Sequence, residues 1–202
     1  LPDDSIPAAI AVLDPKRTDC DYPYKELSGC GLGFKFMQAY ARMYADEQEV
    51  FECLDLVAVS VASDIVPITD ENRILSYHGL KKLNENPLPG LKALIDIAGL
   101  KNEIDVNSIV FTLGPRINAA GRIDHGRAAV ELLISKTEEE ANELAEKINL
   151  KNDVRRQVDA DITEEALAMI ESDAALKVAK STVLFKNTWH KGVIGIVAAR
   201  CI

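Results

Sequence analysis

The chain is 202 residues long, 48% hydrophobic and carries a formal net charge of −9, enough apolar material for one ordinary core with a smaller second unit. No run of 18 apolar residues occurs, which excludes a helix able to cross a membrane, and no basic stretch leads into an apolar one with a small-residue cleavage site. The negative charge argues at first sight against a nucleic-acid binder, but residues 138–173 hold twelve acids and four bases, −8 of the −9, so everything else sums to −1.

The opening, LPDDSIPAAIAVL, reads like the interior of a domain, and the chain is expected to be a piece of something longer. Residues 6–13 (IPAAIAVL), closed by Asp14-Pro15, read as a short buried strand and a turn. The loop 16–25 holds Lys16, Arg17, Lys25 and two tyrosines; such a loop suits a nucleic-acid strand or is simply solvated. Residues 26–44 carry Leu32, Phe36, Ala39, Tyr40 and Met43 at helical spacing. Gly29, Gly31 and Gly33 at the helix start either admit a phosphate to the N-terminal N–H groups or allow close packing.

The stretch 54–68 (LDLVAVSVASDIVPI) is an apolar run of small and β-branched residues with Asp64 set inside it, and a helix is expected over 50–63. An ionised carboxylate in apolar surroundings costs several kcal/mol or so unless paired. Asp64 therefore either caps the end of a buried helix or meets a cation. Thr69 or Asp70 can cap a helix over 71–84, on which Ile74, Leu75, Leu80 and Leu83 form a stripe beside His78. Pro89 starts a short helix over 90–98 that Gly99 closes, and 105–113 is another.

Residues 113–122 (LGPRINAAGR) break the pattern and predict a loop. It presents Arg116 and Arg122 as bidentate phosphate clamps, with Arg127 joining them, or else ties loops to nearby acids. From Thr137 to Asp173 there is neither Gly nor Pro, and apolar residues recur from Ala141 to Met169, predicting one long amphipathic helix or two nearly continuous ones that join two lobes. Residues 181–185 read as a buried strand, 189–192 as a turn, and 193–202 as an apolar helix start. The unit 181–202 is expected to lack a core of its own and either to pack on a neighbouring chain or to be poorly ordered. Cys20, Cys30, Cys53 and Cys201 form no CxxC pair and His78, His125 and His190 are scattered. This usage argues against a zinc site and fits free thiols in a reducing cytoplasm.

Seven blocks in order, 10–17 (IAVLDPKR), 22–35 (YPYKELSGCGLGFK), 54–68, 72–83, 89–100, 113–122 and 189–200 (WHKGVIGIVAAR), make the chain resemble the RecJ family of single-stranded-DNA exonucleases, within the DHH phosphoesterase superfamily. The resemblance implies a helix-rich α/β chain. Residues 1–136 would be the C-terminal part of a DHH-type parallel-sheet nuclease core, 137–173 a long connecting helix, and 174–202 the truncated start of a DHHA1 domain. It implies Mn²⁺ or Mg²⁺, two ions about 4 Å apart, hydrolysing phosphodiesters from a 5′ end in DNA repair or recombination. The partners it implies are single-stranded DNA and, beyond it, a single-strand-binding protein or a helicase.

By that resemblance Asp64 falls on the family's metal-binding aspartate, and Arg116, Asn118 and Arg122 on residues that contact substrate phosphates. The first three family motifs, with most metal ligands, and the glycine-rich DHHA1 motif are not in the chain, so the piece by itself is expected to be inactive. Ser60 and Ser63 stand where small Gly and Ala are usual, and Asp14 where Asn is common. His190 lies in the DHHA1 part, as a helix-start residue or a substrate contact. The alternatives are a DHH phosphodiesterase of short oligonucleotides or cyclic dinucleotides, and a non-catalytic DNA-binding relative; the helices between 72 and 134 favour the exonuclease.

Overall fold

The computed structural model describes residues 6–123 and 126–201, without the side chains of Arg122 and Ile123. The chain divides into two compact units, Leu1–Gly114 and Pro115–Ile202.

In the first unit, α1 (Gly29–Tyr44) begins where the Ser28 hydroxyl accepts the Gly31 N–H at 3.1 Å, satisfying one of the donors a helix start leaves open. The helix expected over 50–63 is two: α2 (Glu47–Phe51), capped by Asp46, and α3 (Leu54–Ser63). Val57, Ala58, Val59, Val61 and Ala62 of α3 are all buried, as an all-round apolar helix must be. Its core partners are Phe34 and Ala41 of α1 and Val50 of α2. Next comes α4 (Asp70–Glu85), which packs on α3 so closely that a Cβ on Gly79 would lie 2.2 Å from the Leu54 carbonyl oxygen and 2.7 Å from the Ala58 Cβ. Buried Asp55, in the first turn of α3, accepts the Leu88 N–H at 2.8 Å and so pins the start of α5 (Pro89–Ile97). Burial raises the Asp55 carboxyl above its ordinary range, the bonds from Leu88 and Leu56 opposing it. Gly99, at φ +69°, ends that segment in the left-handed region that favours glycine.

Two sequence expectations fail here. Residues 6–13 form no strand: Ile6, Ile10 and Leu13 are exposed, and among the described residues no second strand exists to take their backbone bonds. The loop expected over 113–122 is helical. Asp105 and Ser108 close a capping box on α6 (Val106–Ser108), a π turn follows at Ile109–Leu113, and α7 runs over Gly114–Ile123. The Gly114 N–H reaches back five residues to the Ile109 carbonyl. Proline's missing N–H is tolerated in a first helical turn, and the wider π register opens the ladder just ahead of Pro115. Gly114 serves close approach rather than a turn, since a Cβ there would sit 2.8 Å from the Ser63 hydroxyl.

In the second unit, α8 (Arg127–Leu133) packs on α9 (Glu138–Ser172), one uninterrupted helix of 35 residues. Thr137 caps it, and Glu138, Glu139 and Glu140 lie in its first turn, where the helix dipole favours acids. After α10 (Ala174–Val178), residues 181–185 form no strand, and Val183 and Phe185 are exposed, so the second expected strand is also absent among the described residues. No neighbouring chain is needed for the C-terminal segment. Val193 and Val197, at and in α11 (Ile194–Arg200), are buried against Ile162 and Ala166 of α9, with Leu184 and Trp189 packed alongside. Trp189 Nε1 donates to Glu165 at 2.8 Å, Lys186 pairs with the same carboxylate at 3.0 Å, and Arg200 pairs with buried Asp159 at 3.0 Å.

Candidate metal-ligand and phosphate-binding positions

Asp64 is the C-cap of α3. Its N–H closes onto the Ser60 carbonyl, and its Oδ2 accepts the Ser60 hydroxyl at 3.0 Å. Its carboxylate is exposed, not buried, although apolar residues flank it on both sides. Desolvation therefore does not demand a cation. What remains is weaker and of the same sign: a negative charge at the negative end of a helix is disfavoured by about 0.3–1 kcal/mol, and among the described residues no Lys or Arg pairs with Asp64. The next residue, Ile65, sits at φ +53°. A β-branched side chain in that region is strained.

The loop before α1 holds that turn. Tyr24 Oη donates to the Pro67 carbonyl at 3.1 Å, and buried Asn72 donates to the Glu26 and Pro67 carbonyls at 2.7 and 2.9 Å. Tyr22 donates to Glu71 at 2.7 Å, and Lys35 pairs with the other oxygen of Glu71 at 3.1 Å. Burial and the Glu71 carboxylate raise the Tyr22 hydroxyl far above its ordinary range, so it stays a donor. The loop's cations are engaged locally: Lys16 with Glu26, Arg17 with Asp19, and Lys25 with the Cys20 carbonyl. The tyrosines and cations of 16–25 thus build the loop.

In the second unit Arg116 is half-buried on α7, and its Nε donates to Asn149 Oδ1 of α9 at 3.0 Å. Asn149 in turn donates to Asp153 at 3.4 Å. Burial lowers the Arg116 guanidinium from its ordinary value, with Asp153 raising it and Arg156 lowering it further. Asn118 is exposed on the same helix. At about 100° per residue, positions 118 and 122 share one face of α7 and 116 lies on another; the Arg122 side chain and residues Asp124 and His125 lie outside the described residues. Arg127 does not join them: its Nε pairs with Glu131 at 2.7 Å along its own helix. His190 takes the Gly192 N–H on Nδ1 at 3.1 Å, a local turn contact.

Sequence reasoning missed three supports: Ser28 and Ser60 behind Asp64, Asn149 behind Arg116, and Asp55 beneath α5. Ser28, a serine just ahead of a helix start, and Asp55, an acid in the same apolar run as Asp64, had visible signals; Ser60 stood out only as a departure from the family's small residues.

RecJ of Bacillus subtilis strain 168 is 38% identical over 202 residues, 100% of this chain and 25% of that protein. RecJ of Escherichia coli K12 is 34% identical over 217 residues, 99% of this chain and 37% of that protein. This chain is a homologue of RecJ. The crystal structure of RecJ from Thermus thermophilus in complex with Mn²⁺ matches 89% of the chain and 26% of its own at a TM-score of 0.77 and 29% identity. The Mg²⁺ complex matches equally well. No family model matches. The chain spans between a quarter and just over a third of the length of these curated RecJ relatives.

Proposed function

We propose that this chain is the central part of a metal-dependent 5′-to-3′ single-stranded-DNA exonuclease of the RecJ type. The end-to-end identity to proteins named single-stranded-DNA-specific exonuclease carries the reading. Residues 1–136 then belong to the nuclease core, 137–173 to the connecting helix and 174–202 to a DHHA1 domain. The working compartment is the cytoplasm, and a single-strand-binding protein or a helicase is a further partner.

Asp64 fits a hard divalent cation: one exposed carboxylate at a helix C-terminus, with its second oxygen already fixed. It fits as one ligand of several, because among the described residues no group of three His, Cys, Asp or Glu side chains is placed to hold a metal. When bound, Mn²⁺ or Mg²⁺ supplies an activated water and neutralises charge on the scissile phosphate. Arg116, with Nε committed to Asn149, has an oriented guanidinium plane that holds a nonbridging phosphate oxygen where charge develops. Asn118 offers an amide donor to the backbone of the strand, and Arg122 a second guanidinium.

The test uses the full-length protein with Mn²⁺ and 5′-phosphorylated single-stranded DNA, beside Asp64→Ala. Release of mononucleotides that falls at least a thousandfold in the variant supports the reading. Full activity in the variant returns Asp64 to a helix cap, and cleavage restricted to short oligonucleotides rejects the exonuclease assignment.

A further inference from the structure

Behind Asp64 stands a line of hydroxyl groups that crosses from one helix to another. The Gly31 N–H, in the first turn of α1, points at the Ser28 Oγ at 3.1 Å. The Ser28 and Ser60 hydroxyl oxygens are 3.0 Å apart, and the Ser60 Oγ is 3.0 Å from Asp64 Oδ2. Counting protons gives this line a direction. The Gly31 N–H can only donate, and an ionised carboxylate can only accept. Ser60 has one hydroxyl proton. If it pointed at Ser28, lone pairs would face each other across the 3.0 Å to Asp64, so that proton belongs to Asp64. Ser28 accepts from Gly31 and stands 3.0 Å from Ser60 as a second acceptor for the same Ser60 proton, so it adds no donor to the line.

We infer that Ser60 is a positioning residue that makes Asp64 a one-oxygen ligand: Oδ2 is held by the Ser60 hydroxyl, and Oδ1 is left to the cation. The inference rests on the reading of Asp64 as a metal ligand and deepens it. Oδ1 makes no hydrogen bond among the described residues, and the side chain is open to solvent. The Ser60 carbonyl also accepts the Asp64 N–H at 2.9 Å, so one residue grips both the backbone and the side chain of the ligand. The positive Ile65 φ fixes the chain immediately after it. Ser28 is buried, so water does not compete for its place.

The experiment is an Mn²⁺ titration of the full-length protein, reading free Mn²⁺ by electron paramagnetic resonance, together with thermal unfolding of the metal-free protein. Ser60→Ala removes the donor at a helical position where alanine is well tolerated. Loss of an outer partner of a ligand costs 10–100-fold in metal affinity; at this exposed carboxylate the shift should be about tenfold. Ser60→Thr, which keeps the hydroxyl, should restore the affinity. Ser60→Cys keeps the shape without a strong donor, and should bind Mn²⁺ as weakly as the alanine variant whatever either does to the unfolding midpoint. Wild-type affinity in Ser60→Ala and Ser60→Cys, with Asp64→Ala weakened, overturns the positioning role and leaves Asp64 a ligand. Wild-type affinity in Asp64→Ala overturns the ligand reading and the positioning role with it.

Discussion

At the scale of single residues, the first unit depends on atoms that are absent. Alanine in a helix interior is favoured over glycine by about 1 kcal/mol, so Gly79→Ala on α4 would stabilise an isolated helix. In this packing the sign reverses. The new Cβ would lie 2.2 Å from the Leu54 carbonyl oxygen, a backbone atom that cannot swing aside, and α3 would have to move. Overpacking of this kind costs about 1–3 kcal/mol or more, and a chain of this size should lose roughly 5 °C or more from its unfolding midpoint. An unchanged or raised midpoint in calorimetry would show that α3 and α4 are not packed this closely. No sequence pattern announced the contact, because Gly79 looks like any glycine within an amphipathic stripe. Asp64 is the converse case. Its place within an apolar run was legible, but its exposure was not. Whether the chain turns outward at residue 64 or one residue later is decided by the αL conformation of Ile65, which composition does not encode.

At the scale of elements, what was legible was helical periodicity sustained over length. The 35 residues of α9 carry no breaker, and the helix forms to within a residue of the expected ends. Breakers misled where they fell in a first turn: Gly114 and Pro115 look like a loop and begin α7. Short apolar runs misled too, since a strand is made by its partner and neither 6–13 nor 181–185 has one among the described residues. Beside the apolar contacts of Val193 and Val197, Glu165 of α9 accepts Trp189 Nε1 and pairs with Lys186. The bond from Trp189, then that from Lys186, holds this carboxyl below its ordinary range. A carboxyl with a depressed pKa contributes stability that is present above its unfolded value and is lost as pH falls through its folded value. Emission from Trp189, the single tryptophan, should therefore stay constant down through the usual glutamate range near about pH 4.3 and change below it. In Glu165→Gln, whose amide oxygen still accepts the indole N–H, that transition should disappear. A wild-type transition above pH 5, or an identical one in the variant, would assign the effect to another group.

At the scale of the whole molecule, charge decides how the chain meets a polyanion. Binding to single strands draws on counterions released by cations that contact phosphates, with a salt slope of about −0.7 per contact. This chain carries 23 Lys and Arg against 32 acids, and many of the cations are engaged. Lys16, Arg17, Arg42, Lys82, Arg127 and Arg200 each pair with a carboxylate within the chain. The acids of α9 add repulsion over its length. With Arg116 and Arg122 as the phosphate contacts, the 202-residue chain by itself should bind single-stranded DNA with a slope of about −1.4, and at 150 mM salt more weakly than about 10⁻⁴ M. Fluorescence anisotropy of a labelled oligonucleotide across a salt series measures both. Replacing either arginine by glutamine should halve the slope, whereas Lys16→Gln should leave it alone because that cation serves Glu26. A slope steeper than about −4 would require six or so contacts, and would mean that cations paired within the folded chain open to receive DNA.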